Sequence, residues 1–116
     1  MTIDTCIKEW ILDKLEEYEG EINCDLAYNL WERENIDGSI TYSTYEAQKW
    51  IGEYFSDLGD YVEEYEQEFG QWPVNPFQAP ESFMVIMVIF ITDKILYQYD
   101  VETKEELIKA IKEDLA

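Results

Sequence analysis

The sequence predicts an all-α fold in which five or six helices pack around a central buried helix at about residues 81–97. Three observations lead to this prediction. Apolar residues recur at intervals of three and four, two segments open with helix-capping motifs, and the one long apolar run has no evident partner strand. An apolar content of 47% in 116 residues is enough for one core, so we expect a single helical domain over 1–116.

The first two predicted helices lie near the N-terminus. Residues 3–18 carry an apolar stripe at helical spacing, and Gly20 ends it. Residues 25–34 repeat the pattern, and the Asp37-Gly38 pair that follows is typical of a turn. We therefore expect one longer helix and then a shorter one.

A capping box predicts where the third helix begins. Ser43 can accept a hydrogen bond from the first-turn amides, while Glu46 reaches back to the Ser43 N–H. We expect this helix to run to about residue 57, with Gly59 marking a bend or a short break. A further helical face ends at Gly70, so residues 43–69 form either one kinked helix or two.

Residues 72–80 contain all three prolines, which predicts an extended connector. We expect Trp72 and Phe77 to anchor this connector to the core.

The apolar run at residues 83–91 suits a buried helix and a buried strand equally well by periodicity. The run continues for about fifteen residues without a turn signal, and Pro80-Glu81 suits a helical first turn, so we favour the helix. It is too short to cross a bilayer, which needs roughly 20 apolar residues. A second capping box, from Thr103 to Glu106, predicts the start of the last helix.

Charge is the most unusual property of the chain. Its 27 Asp and Glu residues face 8 Lys and Arg residues, which gives a formal net charge of −19, and there is no His. Such a protein should repel nucleic acid and anionic lipid, and electrostatic steering should bring it to a basic surface on another protein. The alternative is that the acidity serves only solubility.

The same composition argues against catalysis. Without His, a general base at neutral pH would have to be a carboxylate with a raised pKa, and a Cys nucleophile would lack its usual partner. There is no phosphate-binding loop, zinc spacing or calcium loop, so we expect no enzyme activity, cofactor or metal. Cys6 and Cys24 are expected to be buried and reduced, and the absence of a secretory pattern in residues 1–10 predicts a cytoplasmic protein.

The acids concentrate between residues 53 and 68, where seven occur without any Lys or Arg. A helix built for solubility alone would mix the signs, because like charges at i,i+4 destabilise it by about 0.2–0.5 kcal/mol a pair. Five of them, spaced four, three, four and four apart, fall along one side of a continuous helix. Their axial separation of roughly 4.5–6 Å is similar to that of neighbouring phosphates along a DNA strand. We call these five the acidic row: Glu53, Asp57, Asp60, Glu64 and Glu68.

A second set of acids in the first helix has similar spacing, and two rows could stand in for two DNA backbones. It comprises Glu9, Asp13, Glu16 or Glu17, then Glu19 and Glu21. Both sets could equally be the solvent faces of amphipathic helices, and the sequence does not show whether they lie side by side. The candidate partner-binding residues are Glu53, Asp57, Asp60, Tyr61, Glu63, Glu64, Tyr65, Glu68, Glu9, Asp13, Glu16 and Glu17.

In size, charge, helicity and possession of the acidic row, the chain resembles a functional class, the small acidic DNA-mimic proteins of phages and mobile elements. This class includes anti-restriction and anti-CRISPR inhibitors. The resemblance implies a protein that occupies the basic DNA channel or PAM-reading surface of a nuclease in an infected bacterial host. Two alternatives stay open: an acidic adaptor or structural protein whose basic partner does not bind nucleic acid, and a small enzyme that uses carboxylates only.

Overall fold

The computed structural model describes residues 2–34 and 44–116. These two ranges contain six α-helices and no strand, so the predicted all-α fold is confirmed. The helices are α1 (Ile3–Leu15), α2 (Leu26–Glu34), α3 (Thr44–Glu53), α4 (Phe55–Phe69), α5 (Pro80–Tyr97) and α6 (Lys104–Leu115). None of these helices is both long and apolar enough to span a membrane.

Helix α5 lies at the centre and packs against α1, α2, α3 and α4, whereas α6 packs on α1. Met84, Met87 and Ile91 of α5 have no exposed surface. Its buried polar side chain, Thr92, accepts a hydrogen bond from Trp31 Nε1 at 2.7 Å. The central helix predicted at about residues 81–97 is therefore confirmed, with its first residue at Pro80.

The helical segment before the connector is interrupted at Tyr54, so it forms two helices, and the predicted break at Gly59 is wrong. The Tyr54 backbone departs from helical geometry, with φ −113° and ψ 29°, while its side chain is buried in the core. Gly59 lies inside α4, where a glycine costs roughly 0.5–1 kcal/mol relative to alanine without preventing a helix. Helix α3 begins at Thr44 as predicted, but the Ser43–Glu46 capping contacts lie outside the described residues.

The connector is not anchored by the two aromatic residues that the sequence suggested. Trp72 is 57% exposed and Phe77 is 83% exposed, whereas Val74 packs against the core and Pro80 is buried. The Trp72 indole instead donates from Nε1 to Glu66 Oε2 at 2.8 Å, which holds the ring on the surface of α4.

The expectation for the cysteines also needs correction. Neither forms a disulfide, but Cys6 is only half-buried and Cys24 is exposed. Cys24 lies in the turn before α2 and so falls outside the apolar stripe of that helix, which explains its exposure.

Candidate acidic interface on α4

Helix α4 is an amphipathic surface helix. Leu58 and Val62 are buried, and the helix ends at Gly70, whose φ of 74° places it in the left-handed region that favours glycine. The apolar stripe determines which side of α4 faces the core. The acidic residues that alternate with it in the sequence therefore lie on the edges and the outer side of the helix.

The spacing of the acidic row suggested one continuous helix, but the row is divided between two helices. Glu53 is the last residue of α3, and the other four residues belong to α4. Helical hydrogen bonding nevertheless continues through the interruption: Tyr54 N donates to Trp50 O at 3.0 Å, and Leu58 N donates to Tyr54 O at 2.9 Å. No loop therefore separates Glu53 from the rest of the row.

Asp57 is half-buried and has a partner inside the protein. Its Oδ2 accepts a hydrogen bond from the Ile3 N–H at 3.0 Å. Ile3 opens α1, and the first amides of a helix have no partner within the helix itself. A carboxylate at this end also interacts favourably with the helix dipole. Asp57 thus caps α1 from another part of the chain.

Glu68, at the other end of the row, forms an ion pair with Lys94 of α5. The Nζ to Oε2 distance is 2.7 Å, and the hydrogen bond to Glu68 raises the pKa of Lys94. Because both side chains are well exposed, the pair contributes about 1 kcal/mol at most. Glu53, Asp60 and Glu64 are the exposed members of the row for which no such contact is described.

The acids of α4 share an open depression with the first turn of α1. Its volume is about 480 Å³, and the described residues that line it include neither Lys nor Arg. The Tyr61 hydroxyl donates to both carboxylate oxygens of Asp4, at 2.9 and 3.0 Å. Burial, and then this hydrogen bond, raise the pKa of Tyr61, so it remains a neutral donor. The lining residues are Thr2, Asp4, Asp57, Asp60, Tyr61 and Glu64.

Asp4 was not among the predicted site residues. Its membership depends on where the start of α1 meets α4, and a contact between residues 57 positions apart leaves no periodic signal in the sequence. An arginine or lysine side chain entering the depression would meet carboxylates from both α1 and α4. The arrangement is therefore suited to binding a cation from a partner.

The second set of acids meets the row at one end only. Glu9, Asp13, Glu16 and Glu17 are all exposed. The half-buried Cys6 thiol lies near both sets: burial raises its pKa most, and the charges of Glu9 and Glu53 raise it further. Helix α1 packs mainly on α6, α5 and α2 rather than on α4, and Glu16 and Glu17 lie after its end at Leu15. The second set therefore does not run beside the acidic row along its whole length.

The remaining predicted residues lie on other sides of α4. Tyr65 is half-buried, and its ring centroid is 4.5 Å from that of Phe69 and 5.2 Å from that of Phe90. It therefore contributes mainly to the edge of the core. Glu63 is exposed and lies on the opposite edge of α4 from the depression.

Within residues 2–34 and 44–116, no three carboxylate or thiol groups are placed together so that they could hold a metal ion. Comparison with known proteins found no matching family model, no matching curated protein and no matching solved structure.

Proposed function

We propose that this protein is a DNA-mimic inhibitor that occupies the basic nucleic-acid-binding surface of a bacterial defence nuclease, in the manner of anti-restriction or anti-CRISPR proteins. The observation that carries the proposal is the depression between α1 and α4. There Asp4, Asp60 and Glu64 gather around a concave surface whose described lining has no basic side chain. Protein surfaces that bind DNA present arginine and lysine side chains to the phosphates, and such side chains would find carboxylates here.

The chemistry of the surface supports a basic partner. An arginine guanidinium binds carboxylates through charge-assisted, often bidentate, hydrogen bonds, which are about twice as strong as neutral ones. Residues 50–93 contain no Lys or Arg, so α4 has no basic residue of its own to neutralise its acids. Lys94 of α5 neutralises Glu68 at one end of the row. A net charge of −19 would also accelerate the encounter with a positively charged groove.

A second candidate function is an acidic adaptor that binds a basic protein unrelated to nucleic acid. The observation that favours it is that two residues of the acidic row already have partners inside the protein. Asp57 caps α1 and Glu68 pairs with Lys94. Three exposed carboxylates of the row form a shorter charge array than a DNA backbone does, and many basic surfaces could match it.

The test compares two triple variants that remove the same charge. In the first, Glu53→Gln, Asp60→Asn and Glu64→Gln neutralise the exposed part of the row, while Asp57 and Glu68 keep their partners. In the second, Glu105→Gln, Glu106→Gln and Glu113→Gln change α6, where Lys104, Lys109 and Lys112 are interspersed. The partner is first recovered from a bacterial lysate with the tagged wild-type protein, and its affinity for each variant is then measured.

We expect the first triple variant to bind on the order of 100-fold more weakly, because three charge-assisted contacts become neutral ones at a cost of about 1 kcal/mol each. It should also lose part of the salt dependence of binding. The α6 variant should bind nearly as the wild type does. Duplex DNA should displace the wild-type protein from the partner if it is a DNA mimic, whereas an adaptor complex should resist DNA. Equal binding by the two variants would refute a role for the row.

A further inference from the structure

The edge of α4 opposite the acidic depression carries an apolar cavity of about 220 Å³. Three of its walls are strongly exposed aromatic rings: Phe55 is 67% exposed, Trp72 57% and Phe77 83%. We call this feature the aromatic cavity. The rest of its lining comes from α3, α4, the connector and α5, and includes Gly59 and Glu63 of α4.

Isolated apolar side chains on a surface are ordinary, but aromatic rings that converge on one concavity are typical of the anchor sites of protein interfaces. The connector that presents two of them is held by local contacts. Asn75 Oδ1 accepts from Phe77 N at 2.8 Å, and Asn75 O accepts from Ala79 N at 2.9 Å. The indole of Trp72 is held by Glu66. Because the connector backbone and the Trp72 ring are held beforehand, less conformational entropy is lost when the cavity is filled.

The size of the cavity restricts what can occupy it. Sites for cofactors and drug-sized ligands typically measure about 300–1,000 Å³, so a volume of about 220 Å³ is better suited to one large apolar side chain. The charge around it restricts the occupant further. Glu63 lies in the lining and Glu66 lies beside Trp72. A second copy of the chain, with a net charge of −19, would be repelled from this surface.

We propose that the aromatic cavity receives a large apolar side chain that projects from the basic surface of the partner protein. This inference rests on the proposed function and deepens it, because it states which kind of basic surface is recognised. A partner would then be selected by this apolar side chain in addition to its positive charge. DNA itself offers its protein partners no such cavity, so this contact would go beyond imitation of DNA. The acidic depression and the aromatic cavity flank the same helix and would contact one partner together.

Gly59 provides a means of closing the cavity. It lies in the lining, and a Cβ atom built on it would meet nothing within 4 Å outside its own stretch of helix. Gly59→Leu should therefore place its side chain in the cavity. Gly59→Ala is the matched control, since it adds a single methyl group. Both replace a glycine within a helix and should stabilise the fold by up to about 1 kcal/mol.

The probes are two capped pentapeptides, Arg-Arg-Leu-Arg-Arg and Arg-Arg-Gly-Arg-Arg, titrated into the protein and followed by NMR through the indole N–H of Trp72. The wild type and Gly59→Ala should bind the Leu peptide on the order of tenfold more tightly than the Gly peptide, because a leucine side chain becomes buried. Gly59→Leu should bind the two peptides equally. If Gly59→Leu does not fold, Phe77→Ser removes an exposed wall of the cavity and should give the same loss of preference.

The outcomes separate the two proposals. If the wild type does not distinguish the two peptides, the aromatic cavity is not an anchor site, whatever the acidic residues do. If the Glu53→Gln, Asp60→Asn, Glu64→Gln variant keeps full affinity for both peptides and also prefers the Leu peptide, the cavity proposal holds and the role of the row fails. A dimer of the wild-type protein that Gly59→Leu dissociates, measured by sedimentation without peptide, would identify a second copy as the occupant and overturn the inference.

Discussion

Helices α4 and α6 are both amphipathic surface helices, but their charges are organised differently. Each buries two aliphatic side chains, Leu58 and Val62 in α4 and Leu107 and Ile111 in α6. The charged residues of α6 include both signs, whereas those of α4 are all acidic. The acids of α4 are Asp57, Asp60, Glu63, Glu64, Glu66 and Glu68.

The two ends of helix α6 are stabilised by residues close to them in sequence. Thr103 Oγ1 accepts from the Glu106 N–H at 3.2 Å, and Lys112 in the last turn complements the helix dipole. Helix α4 has no side-chain cap at Tyr54 and no basic residue in its last turn. One of its acids, Asp57, bonds another helix through the Ile3 N–H, and Lys104 at the start of α6 likewise bonds Tyr18 O at 3.1 Å. The last turn of α4 therefore lacks the favourable charge that Lys112 gives α6, and Asp57 has a hydrogen-bond partner on another helix.

The largest expected effect concerns α5, on which α4 packs. Ile91 is fully buried, so Ile91→Asp should destabilise the protein by more than about 4 kcal/mol and leave it unfolded at 25 °C. Ile89 is half-buried in an open groove, where a carboxylate keeps part of its hydration, so Ile89→Asp should leave a folded protein of lower stability. Circular dichroism and urea unfolding would measure both. Similar losses for the two variants would show that the groove is closed in solution.

An intermediate effect is expected where α4 caps α1. Asp57→Ala removes the acceptor of the Ile3 N–H and should lower the free energy of unfolding by about 1–2 kcal/mol. Glu113→Ala in α6 is the control, and a surface change of this kind should stay within about 0.5 kcal/mol. Urea unfolding at pH 7 would give both values. If the two losses are equal, the acids of α4 have no greater structural role than those of α6.

The smallest effect is expected from salt. Crowded carboxylates repel one another, so the melting temperature should rise by a few degrees between about 10 and 150 mM NaCl, as the Debye length falls from about 30 to 8 Å. The triple variant Glu53→Gln, Asp60→Asn, Glu64→Gln should show a smaller rise, whereas the α6 triple variant should keep most of it. Thermal unfolding in the two buffers is the measurement. A flat response in the wild type would mean that its charges are already compensated.

The elements that the sequence predicted well are those with local causes. The Thr103 cap and the start of α6 follow from hydrogen bonds between residues three apart, and the length of the apolar run predicted α5. The errors have distant causes. The break at Tyr54 accompanies burial of its ring in the core, and Trp72 stays exposed because its indole bonds to Glu66 on α4.

By itself the sequence determined the all-α class, the central helix and the strongly acidic surface, because helical periodicity, apolar run length and net charge are properties of the chain that folding does not alter. Only the tertiary structure decided which acids face solvent. It brought Asp4 to Tyr61, committed Asp57 to the start of α1 and assembled the aromatic cavity from α3, α4, the connector and α5. These contacts and this cavity depend on how helices distant in sequence pack against one another. The spacing of residues along one helix carries no information about the packing between helices.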